Sequence, residues 1–360
     1  MPSCPFSRLF AALRATNPSF SFAGAVDLLA NRSSLRKLLG FASGHVRQTQ
    51  TFRIDATLVR DNTLVLFRHD RTLREVLPGA KKRHEAMSYG HGFEAAFTAQ
   101  EEPALRRQQA GVGGHYRTIA YELGALRCVV QCEVDAWYDE ERGSCPDDEP
   151  AAAAAADAES KGAKQRDEDV AARRSGMSST ASVTAPSAAQ NKTPRRPKGM
   201  QKGSSSAALS VLDGRVEHQP SAQQLAELKV RRKSPFRTFK TVAQMWLGRT
   251  PYLISGLHNE GVFSKIRVEN VGESFSSWES LHQEALKKLV AVITELKELL
   301  IAQRQNMSGT SGRGSPASMT WGIVFDHKKK PARLSVYDLA KKWKTVAVSQ
   351  EDVQAFWPEH

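Results

Sequence analysis

The sequence has few of the features that mark zinc-binding, disulfide-linked or membrane-spanning proteins. Its four cysteines form no CxxC pair, and no histidine pair lies at zinc-finger spacing. No run approaches the roughly 18 consecutive apolar residues that a membrane helix needs. No aspartate-rich DDxxD motif occurs, which argues against a prenyl diphosphate synthase. We therefore expect a protein of a reducing compartment, nuclear or cytoplasmic, that has no membrane partner.

Acidic residues are in deficit. The chain carries 51 lysines and arginines against 38 aspartates and glutamates, a formal net charge of +13. A surplus of this size favours polyanionic partners, and RNA, DNA and anionic membrane surfaces all qualify. The alternative is that much of the excess lies in flexible segments and binds nothing.

Large apolar side chains are nearly missing between residues 143 and 219. This segment holds an alanine run, separate acidic and basic blocks, and many Ser, Pro and Gly residues. Such a composition cannot offset the entropy of ordering, so we predict a disordered low-complexity insert. The insert would divide one domain into an N-terminal half, 1–142, and a C-terminal half, 220–360. Its basic block Thr193–Lys198 is either a nuclear address or a solvated charge run.

The flanks of this segment have the periodicities of a folded α+β domain. Phe52–Val59 and Asn62–His69 are strand-like runs joined by the turn formers Asp61 and Asn62, which predicts a hairpin. Apolar residues from Trp278 to Gln303 recur at helical spacing and predict a long amphipathic helix that faces the core. Other predicted elements are strands at Leu123–Trp137, Ala226–Lys233, Pro251–His258 and Trp321–Phe325, and a helix at Thr241–Gly248. We expect a mixed β-sheet core flanked by helices.

Two carboxylates interrupt an otherwise apolar predicted strand. Alternation places Glu133 and Asp135 on one face, and Cys132, Val134 and Ala136 on the other. Burying a carboxylate costs free energy unless something compensates it, and two adjacent carboxylates also repel each other. A divalent cation compensates both costs, and oxygen ligands favour Mg²⁺ or Mn²⁺. The alternative is a sheet with a solvent-facing side, on which both side chains are hydrated.

Further charged residues follow the order found in a nuclease core. Glu227 and Lys229 lie two residues apart on a predicted strand, so they share a face. Glu94 lies near the start of a predicted helix, where an acid also stabilises the helix dipole. A helix acid, an ExD strand and then an ExK strand is the order in which PD-(D/E)XK nucleases present their metal ligands and lysine. Each motif alone is common, and E-x-K often marks only a surface ion pair.

Several segments together resemble the DXO-type (Rat-interacting) decapping nuclease family. GHGFE resembles the family's G-Y-x-F-E element, CEVDA its G-E-V-D strand and AELKV its E-L-K strand. NRSSLRKLLGF resembles an early W-R-G-x-x-T-K-L-L element. VAQMWLGRTPYLISGLHNEGVF resembles, without a gap, a family helix bearing W-A-Q, a glycine turn and a strand ending in G-F/Y-R-x-x-x-G. The resemblance covers roughly residues 28–270 without the insert.

The resemblance implies a PD-(D/E)XK-type catalytic domain that hydrolyses RNA 5′ ends with Mg²⁺ or Mn²⁺. Decapping, pyrophosphohydrolysis and 5′–3′ exonucleolysis lie within the family's range, and a 5′–3′ exoribonuclease is an implied partner. The implied metal ligands are Glu94, Glu133, Asp135, Glu227 and the carbonyl of Leu228. The implied catalytic residues are Glu133, Asp135, Glu227, Lys229 and Gln244.

The resemblance also implies residues that bind the substrate. Lys229 and Gln244 would face the scissile phosphate and the attacking water, and Arg32 would contact RNA phosphates. The alternatives are that Arg32 is a solvated helix-end residue and that Gln244 only packs a helix against the sheet.

The sequence departs from the family pattern at two positions. His91 replaces the tyrosine, and Cys132 stands where glycine precedes the acid, which adds a Cβ and narrows the groove. Two other functions are compatible with these residues. A DNA-directed PD-(D/E)XK nuclease would share the metal core, and a non-catalytic RNA-binding or scaffold protein would share only the fold.

Overall fold

A computed structural model describes residues 4–44, 51–60, 63–69, 89–98, 115–139, 220–232, 235–310, 319–339 and 345–358. The predicted insert, 143–219, and the turn residues Asp61 and Asn62 lie outside these ranges. The strands are β1 Leu28–Asn31, β2 Phe52–Val59, β3 Thr63–Arg68, β4 His115–Leu123, β5 Leu126–Val134, β6 Ala136–Trp137, β7 Leu225–Arg231, β8 Tyr252–Asn259, β9 Val262–Asn270, β10 Thr320–Phe325 and β11 Leu334–Asp338.

Seven helices accompany the two sheets in the described residues. They are α1 Ser7–Thr16, α2 Arg32–Ala42, α3 Tyr89–Phe97, α4 Phe239–Gly248, α5 Phe275–Leu281, α6 Gln283–Thr310 and α7 Gln350–Phe356. Among the described helices, none has the length and apolar character needed to cross a membrane.

The larger sheet has seven strands in the order β11-β10-β2-β3-β1-β5-β4. Strand β1, which lies inside this sheet between β3 and β5, runs parallel to both, whereas the other neighbours pair in antiparallel fashion. The predicted hairpin is confirmed as β2–β3, which pair from Val59 and Thr63 outward. The fold class is therefore the expected one, a mixed α+β domain with helices against a mixed sheet.

Both faces of the larger sheet are covered, which explains why the first three residues of β1, Leu28, Leu29 and Ala30, are apolar. Leu28 and Ala30 face a core shared with α2, α4 and α6, and Leu29 faces a second core shared with α1 and α7. The helix predicted from the apolar spacing is confirmed as α6, whose buried stripe is Leu286, Leu289, Ile293, Leu296 and Leu300. It begins later than predicted, because α5 ends at Leu281 and the chain bends at His282.

The smaller sheet has four strands in the order β6-β7-β8-β9, with β7 parallel to β8. The prediction of one continuous strand over Leu123–Trp137 is wrong at both ends. Gly124 adopts φ +59° in the tight turn between β4 and β5, a left-handed conformation that suits glycine. After Val134 the chain leaves the larger sheet, and β6 then pairs with β7. Asp135 is the residue at this crossing.

Candidate active site

Asp135, at which the chain passes from the larger sheet to the smaller one, lies close to the carboxyl end of β1. β1 ends at Asn31 and α2 begins at Arg32, between the carboxyl ends of the parallel strands β3 and β5. The Asn31 side chain bridges these neighbours, because its Nδ2 donates to Gln131 and its Oδ1 accepts from the Arg68 N–H. In open sheets of this kind, ligands bind outside the carboxyl ends of the parallel strands.

Arg32 is buried at this position, and only 7% of its surface is exposed. Its Nη1 lies 3.0 Å from Oε2 of Glu227, which projects from β7 of the smaller sheet. Gly248 leaves the space that this arrangement needs, since a Cβ there would come within 2.9 Å of Arg32 Cδ and Nη1. Arg32 is therefore an ion-pair partner across the two sheets, and the solvated alternative is wrong.

Glu227 is the centre of the cluster. It is 2% exposed, and its Oε1 accepts from Lys229 Nζ and from Gln244 Nε2. Burial alone favours a neutral carboxyl, but the charges of Arg32 and Lys229 outweigh it and lower the pKa of Glu227. The carboxylate is therefore charged, and it is held by two hydrogen-bond donors and by its ion pair with Arg32.

Gln244 reaches the cluster from α4, whose first turn is capped by the Thr238 hydroxyl accepting from the Thr241 N–H. Its Nε2 donates to Glu227, and its Oε1 accepts from Arg36 Nη1 at 2.8 Å. Gln244 therefore hydrogen-bonds within the cluster, and its predicted role toward the phosphate and the attacking water stays a prediction. Arg36 was not among the predicted site residues, although it lies one helical turn after Arg32 and so shares its face of α2.

Asp135 lies next to Glu227, and none of its described contacts is an ion pair. Its Oδ2 accepts the backbone N–H of Leu228 at 2.9 Å. Burial, and then the charge of Glu227, raise the pKa of Asp135 to about 7, against the hydrogen bond from Leu228 and the positive charge of Lys229. Two carboxyl groups thus share a poorly hydrated region, and only one of them is fully charged at neutral pH.

The other two predicted acids are exposed. Glu133 is near the end of β5, opposite Tyr116 of β4. Glu133 lies on β5, but Asp135 follows the end of that strand at Val134. The two acids therefore do not share one face of a strand, contrary to what the sequence predicted. Glu94 is the sixth residue of α3, which has no acid in its first turn, so the helix-dipole alternative is wrong.

Helix α3 packs on one face of the smaller sheet. Its Phe93 ring fills the space beside Gly256, where a Cβ would come within 2.6 Å of the ring. Val230 pairs with Gly256, so alternation puts Val230 on the α3 face and Lys229 on the opposite face. The structure therefore brings together Arg32, Asp135, Glu227, Lys229 and Gln244. Within the described residues, neither Glu94 nor Glu133 completes with Asp135 and Glu227 a group of acids that could hold a metal ion. The side chain of His91 lies outside the described residues.

Positive charge accumulates on the α2 and α4 side of Glu227. Burial, and then the charge of Arg32, lower the pKa of Arg36. Burial also lowers the pKa of Lys240, and the charges of Arg36 and Arg231 add to the effect. Cations that repel one another in this way are stabilised by a bound anion such as a phosphate.

The donor set fits a divalent cation in part. Glu227 supplies a buried carboxylate and Asp135 a half-buried one, and oxygen ligands of this kind are those that Mg²⁺ and Mn²⁺ take. The raised pKa of Asp135 results from burial and then from repulsion by Glu227, and a divalent cation would compensate both. Within the described ranges, however, no group of three or more His, Cys, Asp or Glu side chains lies close enough to hold a metal ion. The ligand roles of Glu94, Glu133 and the Leu228 carbonyl remain predictions.

Solved structures with the same fold are yeast Rai1 proteins. Scheffersomyces stipitis Rai1 in complex with (3′-NADP)⁺ and calcium ion gives a TM-score of 0.53 at 12% identity, covering 98% of this chain and 78% of that one. Candida albicans Rai1 in complex with pU5 and Mn²⁺ gives 0.52 at 12% identity, covering 98% and 81%. A second Scheffersomyces stipitis Rai1 structure gives 0.51 at 14% identity, covering 97% and 80%.

These likenesses establish a shared fold. No curated protein sequence matches the chain. A family model described as "Domain of unknown function (DUF8563)" matches residues 1–357, which is almost the whole sequence. The chain belongs to this DUF8563 family.

Proposed function

We propose that this protein hydrolyses phosphodiester or phosphoanhydride bonds at RNA 5′ ends with the help of a divalent metal ion. The observation that carries the proposal is the buried Glu227, which is held by Arg32, Lys229 and Gln244 next to Asp135. A carboxylate pair beside a lysine and a glutamine, at the carboxyl end of parallel strands, is suited to phosphoryl chemistry. The shared fold of the Rai1 structures, one of which holds pU5 and Mn²⁺, supports RNA as the substrate.

Asp135 and Glu227 would hold the metal ion, with Glu133, Glu94 and the Leu228 carbonyl as further ligands. When bound, the ion supplies Lewis-acid polarisation of a phosphoryl oxygen and lowers the pKa of bound water. Mg²⁺ and Mn²⁺ are the candidates, and the manganese in the Candida albicans Rai1 structure favours testing Mn²⁺ first.

The remaining residues would bind and orient the phosphate. Lys229 has 28% of its side chain exposed, so its ammonium group could leave Glu227 and pair with a phosphate oxygen of the substrate. Gln244 would orient the attacking water through its amide. Arg32 has 8% of its side chain exposed and neutralises Glu227, so its predicted contact with RNA phosphates requires it to release that partner.

The cations around Arg36 and Lys240 extend the positive charge beyond Glu227. This charge suits a substrate with several phosphates near its 5′ end, such as a 5′-triphosphate, a cap or an NAD cap, and also the backbone of a 5′-monophosphate RNA. A 5′–3′ exoribonuclease partner and a nuclear or cytoplasmic location belong to the same proposal.

The experiment is a panel of RNAs with 5′-triphosphate, cap, NAD-cap and 5′-monophosphate ends, incubated with Mn²⁺, with Mg²⁺ and with EDTA. A DNA of matched sequence tests the DNA-directed alternative. We expect metal-dependent release of a 5′ product from at least one RNA and slower turnover of the DNA. Equal turnover of both would favour a DNA-directed nuclease.

The exposed positions of Glu94 and Glu133 favour a second candidate, an RNA-binding protein without catalysis. Such a protein would bind the same RNAs in EDTA with unchanged affinity and would release no product from any of them. Binding that is unaffected when Asp135 and Glu227 are both replaced by amides would support it further.

A further inference from the structure

We propose that Arg36 is a positioning residue that fixes the Gln244 side-chain amide against Glu227. The inference rests on the proposed hydrolytic function, because it assigns Arg36 a part in holding the residue that would orient the attacking water. Position 36 was not among the residues that the motifs indicated, and it falls where the W-R-G-x-x-T-K-L-L element has threonine. A threonine side chain is several bonds shorter than arginine, so the contact is one that this sequence adds.

The contact joins three elements in a row. Arg36 Nη1 on α2 donates to Gln244 Oε1 on α4 at 2.8 Å, and Gln244 Nε2 donates to Glu227 Oε1 on β7. The amide therefore lies between a guanidinium on one side and a carboxylate on the other. Hydrogen bonds in such a chain polarise one another, so the donor at Gln244 Nε2 is strengthened by the cation behind its carbonyl.

The two contacts select one orientation of the amide. A 180° rotation of the Gln244 amide would turn its carbonyl toward the Glu227 carboxylate and its NH₂ group toward the Arg36 guanidinium. Both new contacts would be repulsive, because each pairs two acceptors or two donors. Without Arg36 only the Glu227 contact would oppose the rotation, and the amide would gain freedom where a water has to be aligned.

The partial burial of Arg36 strengthens its hydrogen bond to Gln244. The side chain is only partly exposed, and burial with the charge of Arg32 lowers its pKa. A guanidinium in such a place needs a hydrogen-bond acceptor, and Gln244 Oε1 supplies it. Arg32 already pairs with Oε2 of Glu227, so Arg36 acts on the opposite oxygen through Gln244.

The test compares Arg36→Met, Arg36→Lys, Gln244→Met and the double variant Arg36→Met/Gln244→Met with the wild type. Turnover is measured on the best RNA of the panel with Mn²⁺ present. We expect Arg36→Met to lower kcat roughly 10–100-fold, the range for residues that orient metal-site groups, and to leave KM little changed. Arg36→Lys keeps one donor and should recover part of the loss. The double variant should be no slower than Gln244→Met, because Arg36 acts through Gln244.

Other outcomes would overturn the inference. A higher KM with unchanged kcat would make Arg36 a phosphate ligand, and multiplicative losses in the double variant would give it a role independent of Gln244. Lys287→Met is the control, since it removes an exposed cation of α6 that pairs with exposed Glu284. It should leave both constants unchanged.

A second measurement separates this inference from the proposed function. Urea unfolding of the wild type, Arg36→Met, Gln244→Met and the double variant gives a double-mutant cycle that needs no activity. We expect the midpoint shifts of the two single variants to sum to more than the shift of the double variant. If no RNA is hydrolysed by the wild type, the proposed function fails, while a non-additive cycle still supports the contact. An additive cycle overturns the contact itself.

Discussion

Replacing Asp135 by asparagine removes a carboxyl group whose pKa is strongly raised in the folded protein. Burial, and then the charge of Glu227, raise this pKa from 3.8 to about 7. The unfolded chain keeps the ordinary value, so between about pH 4 and pH 7 the folded protein binds a proton that the unfolded chain has lost. The metal-free native state therefore loses stability as the pH rises through this window. A shift of about three units corresponds to roughly 4 kcal/mol above pH 7.

Asparagine keeps the oxygen that accepts the Leu228 N–H and removes the charge. The metal-free Asp135→Asn protein should therefore unfold at higher urea than the wild type at about pH 8, and the advantage should vanish near pH 4. The assay is urea unfolding across this range in EDTA, with Glu133→Gln as the control because Glu133 is exposed. Parallel pH curves for wild type and Asp135→Asn would show that Asp135 titrates normally and would exclude the raised pKa.

The remaining predictions concern the metal, the ion pair, the insert and the salt dependence. Mn²⁺ at 100 times its Kd should stabilise the wild type by about 2.7 kcal/mol and Asp135→Asn far less, as measured by the change in Tm. Arg32→Met should destabilise the protein by roughly 3 kcal/mol in urea unfolding, because it leaves the Glu227 charge buried; no loss would mean that Lys229 alone suffices. Deleting about residues 148–215 and bridging them with a short Gly/Ser linker should preserve cooperative unfolding, since loop length changes closure entropy only logarithmically. RNA affinity should fall steeply between 50 and 200 mM salt, and a flat dependence would argue against a phosphate-binding groove.

Local patterns in the sequence predicted the elements whose signals are local. The β2–β3 hairpin and the apolar stripe of α6 follow from residues within one segment, so period and turn chemistry were enough. The strands β7, β8 and β10 and the helix α4 also lie where the alternation and spacing placed them. Helices α1 and α7 were not predicted, because each is short and is held mainly by the aromatic cluster that contains Phe10, Phe22 and Trp357.

The arrangement of the site depends on long-range packing, which no local pattern contains. Arg32 begins α2, which follows a strand of the larger sheet, whereas Glu227 lies on β7 of the smaller sheet, and their contact requires α2 to lie close to α4 at Gly248. The motifs placed Arg32, Glu227, Lys229 and Gln244 in one site, and the structure brings these four together. They did not indicate that the chain changes sheets at Asp135, and they did not indicate Arg36. Both depend on the pairing of β6 with β7 and on the packing of α2.

The most direct test of the account is the rate at which wild type, Asp135→Asn and Glu227→Gln hydrolyse the RNA 5′ end that the panel identifies, measured at saturating Mn²⁺. Both variants keep the size of the side chain and remove one carboxylate of the Asp135–Glu227 pair. We expect each to lower turnover by orders of magnitude while the protein stays folded, and Glu133→Gln to have a smaller effect. Wild-type rates in both Asp135→Asn and Glu227→Gln would rule out metal-dependent hydrolysis at this pair and leave RNA binding without hydrolysis as the function.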